Sequence, residues 1–133
     1  MSYADPDRRQ YTFAEASCDF SGNNALGMIR GPKGKTGRLK WASLAVTTTI
    51  AGTTGDAKIN IGNAGDADAY MAWSIGEPAV DTFRSTDDSS QTTSPLTGLE
   101  IAANTEVLIA IVEDTTGDGA GDGVLTVCID WAQ

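Results

Sequence analysis

The sequence predicts an all-β chain folded as an antiparallel two-sheet sandwich, jelly-roll-like, with a less regular N-terminal arm. Three observations predict it. The 133 residues hold sixteen threonines and fifteen glycines; several short runs place apolar side chains at every second position; and no long stretch shows the spacing of an amphipathic helix. A chain of this length buries roughly 68% of its unfolded surface, so one core forms without disulfides or a structural metal. Residues 1–37 read as an N-terminal arm and glycine-rich basic loop belonging to the same unit as a sandwich over residues 38–133.

Taken in order, residues 5–17 are compatible with a short helix, with Asp5 as its cap and Pro6 in its first turn, or with an extended arm in which Tyr11 and Phe13 alternate. Residues 22–37, punctuated by Gly22, Gly27, Gly31, Gly34 and Gly37, read as a flexible charged loop. The run RLKWASLAVTTTI (38–50) predicts a strong strand, with Leu44, Val46, Thr48 and Ile50 on one face and Leu39, Trp41, Ala45, Thr47 and Thr49 nearer the other. AKINI (57–61) and AYMAWSI (69–75) predict two shorter strands around the turn-forming NAGDAD, the second burying Met71, Trp73 and Ile75. Residues 81–97 are polar, contain Pro95 and read as a long surface loop. The last two runs, 106–113 and 124–131, read as a long β-hairpin around the tip DTTGDGAGDG, with Leu125, Val127, Ile129 and Trp131 facing the core.

Composition then limits function. With no histidine, Ser-His-Asp and Cys-His machinery and the commonest zinc ligand sets are absent, so the chain is expected not to be an enzyme and to need no cofactor. The net charge of −9 argues against nucleic acid as a partner. The longest aliphatic run, residues 107–112, is far below the roughly 20 residues of a membrane helix, and residues 1–20 carry no signal-like apolar stretch, so no membrane partner and no export signal are expected. The charge is divided unevenly: residues 1–58 hold 8 basic and 5 acidic side chains, residues 59–133 hold 1 and 13. Opposite poles on one small domain suit docking or assembly.

Most local motifs read as ordinary turns. Gly34-Lys35-Thr36 imitates the end of a phosphate-binding loop, but position 29 is isoleucine where that motif needs glycine, and a strand follows instead of a helix. Asp114, Asp118 and Asp122 are spaced four apart, against two in the familiar calcium loop, so a solvated tip is expected and no metal site. Asp66/Asp68 and Asp87/Asp88 lie in Ser, Thr and Gly surroundings that favour solvated turns over a catalytic acid and base. Cys18 and Cys128 read as small buried hydrophobes, and Trp41, Trp73 and Trp131 as core. The feature that suggests a function is the cluster Arg30, Lys33, Lys35, Arg38 and Lys40, five of the nine cations within eleven residues, read as a contact for an acidic surface.

The C-terminal text LEIAANTEVLIAIVEDTTGDGAGDGVLTVCIDWAQ resembles the closing strands of small β-sandwich virion proteins of tailed bacteriophages, with an ANTEV strand entry, a Gly/Asp-rich tip and a final VxIDW strand. TGRLKWASLAVTTTIAGTTGDAKINIGNAGDADAY is similar to an earlier part of the same proteins. The resemblance covers about residues 36–75 and 99–133. It implies a capsid decoration, or cement, protein: made in the host cytoplasm, bound to the major capsid protein on the outside of the virion, commonly a homotrimer, and without catalytic residues. A tail, baseplate or head-fibre component is the alternative within virions. A carbohydrate-binding module is the alternative of another class, and it requires an exposed tryptophan.

Overall fold

In the computed structural model, residues 7–15, 18–51, 57–86, 100–112 and 120–132 are described. They form nine strands and no helix: β1 (Asp7–Phe13), β2 (Asn24–Arg30), β3 (Thr36–Ala51), β4 (Ala57–Gly62), β5 (Met71–Gly76), β6 (Phe83–Ser85), β7 (Glu100–Ile101), β8 (Glu106–Val112) and β9 (Ala120–Ala132). All pairings are antiparallel. One sheet runs β1-β9-β3-β6, with β7 also paired to β3; the other runs β2-β8-β4-β5. The two-sheet all-β fold is therefore present as the sequence predicts.

The core lies between the sheets and follows the period-two pattern. Leu125, Val127, Ile129 and Trp131 of β9 and Leu44 and Val46 of β3 enter it from one side, and Val107, Ile109 and Ile111 of β8 with Ile59, Ile61, Met71, Trp73 and Ile75 from the other. Each such side chain contributes about 1.5–3 kcal/mol when fully buried. The long β3 departs from simple alternation at Lys40. There Leu39 pairs with Ile129 and Trp41 with the adjacent Cys128, so Lys40 is an extra residue on β3. This bulge shifts the phase and turns Leu39 into the core, 8% exposed, on the same side as Leu44, against the face that strict alternation assigns it.

Two further expectations are corrected. The runs 106–113 and 124–131 are strands, but not a hairpin: β8 pairs with β2 and β4, and β9 with β1 and β3. Alternation records which side of a strand is buried, and two strands that line one core from facing sheets carry the same pattern as two that pair. The second correction concerns residues 22–37. Instead of a flexible loop they supply β2, a turn and the start of β3. Residues 7–13, left open between helix and extended arm, are strand β1, in register with β9 from Asp7↔Trp131 to Phe13↔Leu125. Asp5 and Pro6 lie outside the described residues, as do residues 87–97 of the expected surface loop; residues 83–85 of that loop form the short edge strand β6.

The glycines beside β2 and β3 serve close packing. A side chain at Gly31 would collide with the Trp131 ring, and a Cβ at Gly37 would come within 2.6 Å of the same ring. Trp131 is 1% exposed and donates its indole Nε1–H to Tyr11 Oη at 3.0 Å, so the ring has no room to retreat. Gly31→Ala is accordingly expected to destabilise the fold by about 1–3 kcal/mol, the usual cost of overpacking, seen as a lower urea midpoint with unchanged slope.

Candidate docking surface

The turn between β2 and β3 carries the centre of the basic cluster, and its conformation is fixed locally. Lys35 N–H donates to Pro32 O at 3.1 Å, and Gly34 takes the left-handed corner at φ +77°, which an L side chain resists. Gly34 N–H donates in turn to Asn104 Oδ1 at 3.1 Å, from the turn that leads into β8. At the foot of the turn Arg30 Nη2 donates to Glu106 Oε1 at 2.7 Å, and below it lies the Trp131 ring. Three attachments to β8, β9 and the turn before β8 thus hold what the glycines alone suggest is adaptable.

The five expected contact residues do share one end of the sandwich, in two different states. Arg30 is ion-paired with Glu106 on the surface. Lys33, Arg38 and Lys40 are exposed and Lys35 is half-buried, and among the described residues none of these four makes an ion pair. Arg38 stands on the outward face of β3, in register with Asp130 of β9 on one side and Glu100 of β7 on the other. Lys40 projects at the bulge. These four cations therefore occupy the turn and the adjoining rows of the first sheet.

Sequence reasoning missed two members of this end. β1 returns Arg8 and Arg9 to it, so seven of the nine cations lie there, only Lys58 and Arg84 elsewhere. The signal was available in the Arg-Arg pair beside the alternating Tyr11 and Phe13, once that segment is read as a strand. Arg8 grips Asp130 with two hydrogen bonds, Nε to Oδ1 at 2.7 Å and Nη2 to Oδ2 at 3.0 Å, and Arg9 pairs with Asp7 at 2.8 Å. Across β1, β9, β3 and β7 the register thus reads Arg8, Asp130, Arg38, Glu100, with alternating sign.

The hydrogen bond from Arg8 holds the Asp130 carboxyl below the usual range against the opposing effect of its partial burial, and the nearby charges of Arg8 and Lys40 add to it. A carboxyl depressed in the folded state contributes stability above its unfolded pKa and loses it as pH falls through the folded value. That contribution is complete above about pH 5 and fades below the ordinary carboxylate pKa of about 3.9. Arg8→Gln is therefore expected to lower stability modestly at neutral pH and to flatten the acid limb, as read by urea titrations repeated at descending pH.

Other candidates give no site. Asp66 and Asp68 are exposed on the β4–β5 turn, where Asn63 Oδ1 accepts the N–H groups of Gly65 and Asp66. Asp122 sits opposite Asp19, while Asp87, Asp88, Asp114 and Asp118 lie outside the described residues. Cys18 and Cys128 are buried, and burial pushes the Cys18 thiol up. Trp73 and Trp131 are closed inside the core, which leaves only the half-buried Trp41 for a stacking role.

No protein-family model and no curated protein matches the chain. Among solved structures, a chain of the cyanophage Pam1 capsid asymmetric unit is similar to it. The match covers 98% of this chain and 88% of that one, with 16% identity and a TM-score of 0.45. A likeness that loose carries no conclusion about fold or role.

Proposed function

We propose that this chain is a structural, non-catalytic virion protein that docks on the outside of a bacteriophage capsid, assembles as a trimer and stabilises contacts between major capsid protein subunits. The observation that carries the reading is the fixed basic end: four cations that make no ion pair among the described residues, on a braced turn and its adjoining strands, in a protein of net charge −9. An acidic protein that concentrates cations at one end is arranged to meet an acidic surface in one orientation while its remaining faces repel it. The sequence resemblance supports the choice of surface, because the resembling segments supply β3, β4, β8 and β9, two central strands of each sheet.

Cementing follows from geometry of this kind. Each docked copy buries surface across a joint between coat subunits, and a trimer engages three joints at once, so the second and third contacts form at high effective concentration. The test is co-sedimentation of the purified chain with shells that lack it. Saturable pelleting, with shells that then withstand a higher temperature, is the expected result, and a chain that stays in the supernatant at every concentration would refute the docking.

A further inference from the structure

The two sheets turn different faces outward. On the first sheet the outward rows are polar: Arg8, Asp130, Arg38 and Glu100 form one, and Thr12, Thr126, Ser43 and Ser85 another. On the second sheet β8 turns Leu108, Ala110 and Val112 outward, none of them fully buried, and Met28 and Ala25 of β2 and Ala72 of β5 complete the face. A solvated face of an antiparallel sheet carries polar side chains, whereas a contiguous apolar one marks a contact.

This face has relief. The backbone of Asp66 and Ala67 lies where a side chain of Gly62 would stand, so the loop after β4 rises over one end of the sheet. Its shape is fixed by Asn63, whose N–H donates to Asp66 O at 2.8 Å and whose Oδ1 accepts the N–H groups of Gly65 and Asp66 at 2.9 and 3.0 Å. Between this wall and Met28, which is 56% exposed, runs a groove of about 420 Å³ floored by Leu108 and Ala110. Little ordering remains to be done on contact.

Charge at the two ends selects the occupant. The wall carries Asp66 and Asp68, both exposed; at the other end of β4 the exposed Lys58 stands in register with Val112. None of the three makes an ion pair among the described residues. Midway between the ends lies the row Ala25, Ala110, Asn60, Ala72. A two-fold axis along that row lays the face on a second copy of itself and exchanges its ends. Lys58 of each copy then meets Asp66 and Asp68 of the other, and Val112 of each enters the other's groove over Leu108. A two-fold axis along β8 would instead set the acidic loop over Met28 and leave the charges unmatched.

We infer that the outward face of the second sheet pairs with the same face of a second copy, about a two-fold axis through the Ala110 row. The contact is isologous, so each copy supplies both halves of it. Apolar burial supplies the affinity and the Lys58 ends the register. Four strands about 4.8 Å apart and some seven residues long give each face on the order of 400 Å², the low end for a specific contact, so the pair is weak in solution and gains where docking holds copies side by side. The inference goes beyond the proposed trimer, whose three-fold contact is a different one: a two-fold contact joins copies of neighbouring trimers.

The test is sedimentation equilibrium of the full chain without shells, at up to about 1 mM, where a contact of this size is populated. Wild type is expected to associate in multiples of two. Lys58→Glu, and Asp66→Asn with Asp68→Lys, all at exposed positions, are each expected to self-associate about 10-fold more weakly, because like charges then meet at both ends. A one-to-one mixture of these two variants should recover wild-type affinity, since both ends of the mixed pair again join opposite charges; that recovery also shows that both variants are folded. Ala110→Glu sets like charges against each other at the axis and is expected to abolish the association, with circular dichroism checking its fold. A wild type that stays monomeric or associates only in threes, or a mixture no tighter than its components, would overturn the inference. Co-sedimentation with shells reads the docking separately: a folded Ala110→Glu variant that still pellets leaves the capsid contact elsewhere on the chain, as inferred, whereas its loss from shells beside a monomeric wild type would give the face to the coat protein and overturn the pairing.

Discussion

Trp131→Ala is expected to cost about 3–5 kcal/mol, the range for removing a large buried aromatic, against a total stability of about 5–15 kcal/mol for a domain of this kind. The indole is 1% exposed, and the absent side chains of Gly31 and Gly37 make its seat. Those two glycines bracket the basic turn, so the cavity left by alanine opens directly beneath it. The indole also holds β1 through its hydrogen bond to Tyr11. Trp131→Phe keeps most of the ring and removes that bond, and is expected to cost nearer 1 kcal/mol for the bond itself plus a smaller packing loss. Denaturant titration of the two variants measures both effects. A Trp131→Ala cost below about 1 kcal/mol would mean that the ring is not the seat of the turn.

Replacing Lys33, Lys35, Arg38 and Lys40 together with glutamine is expected to cost no more than about 0.5 kcal/mol per substitution, because none of the four makes an ion pair among the described residues. The same variant is expected to associate with shells on the order of 10–1,000-fold more slowly, since steering by a charged face contributes on that scale at low ionic strength. Added salt should slow the wild type toward the variant as the Debye length shrinks from about 10 Å at 0.1 M to about 3 Å at 1 M. Arg30 is left in place, because its partner Glu106 would otherwise lose its counter-charge. Stopped-flow or biolayer binding to immobilised shells gives the rates, and equal rates for variant and wild type at low salt would remove the basic end from the contact.

What the sequence made legible was the buried side of the strands whose apolar residues alternate. The unbroken apolar run of β8 does not show which of its sides is buried, whereas the inward sets of β5 and β9 follow from alternation alone, because a half-buried strand has period two whatever it pairs with. Pairing was not legible for the same reason: Val107, Ile109 and Ile111 look alike whether β9 lies beside them or across the core. The displaced face of Leu39 depends on a one-residue bulge at Lys40, which leaves no mark in hydropathy. The glycines between residues 22 and 37 misled because a glycine admits two explanations, a mobile backbone or a neighbour that needs the room, and for Gly31 and Gly37 that neighbour is a tryptophan about a hundred positions away. The five cations were legible as a cluster because they are close in sequence. Arg8 and Arg9 were not, since only the pairing of β1 with β9 brings them to the same end.

The most direct test of the proposed role is the number of copies of this chain per major capsid protein in purified particles, by quantitative mass spectrometry with labelled peptide standards. A shell-covering decoration protein predicts a ratio near one to one. A few copies per particle would move the chain to the tail or a fibre, and its absence from particles would contradict the capsid role altogether.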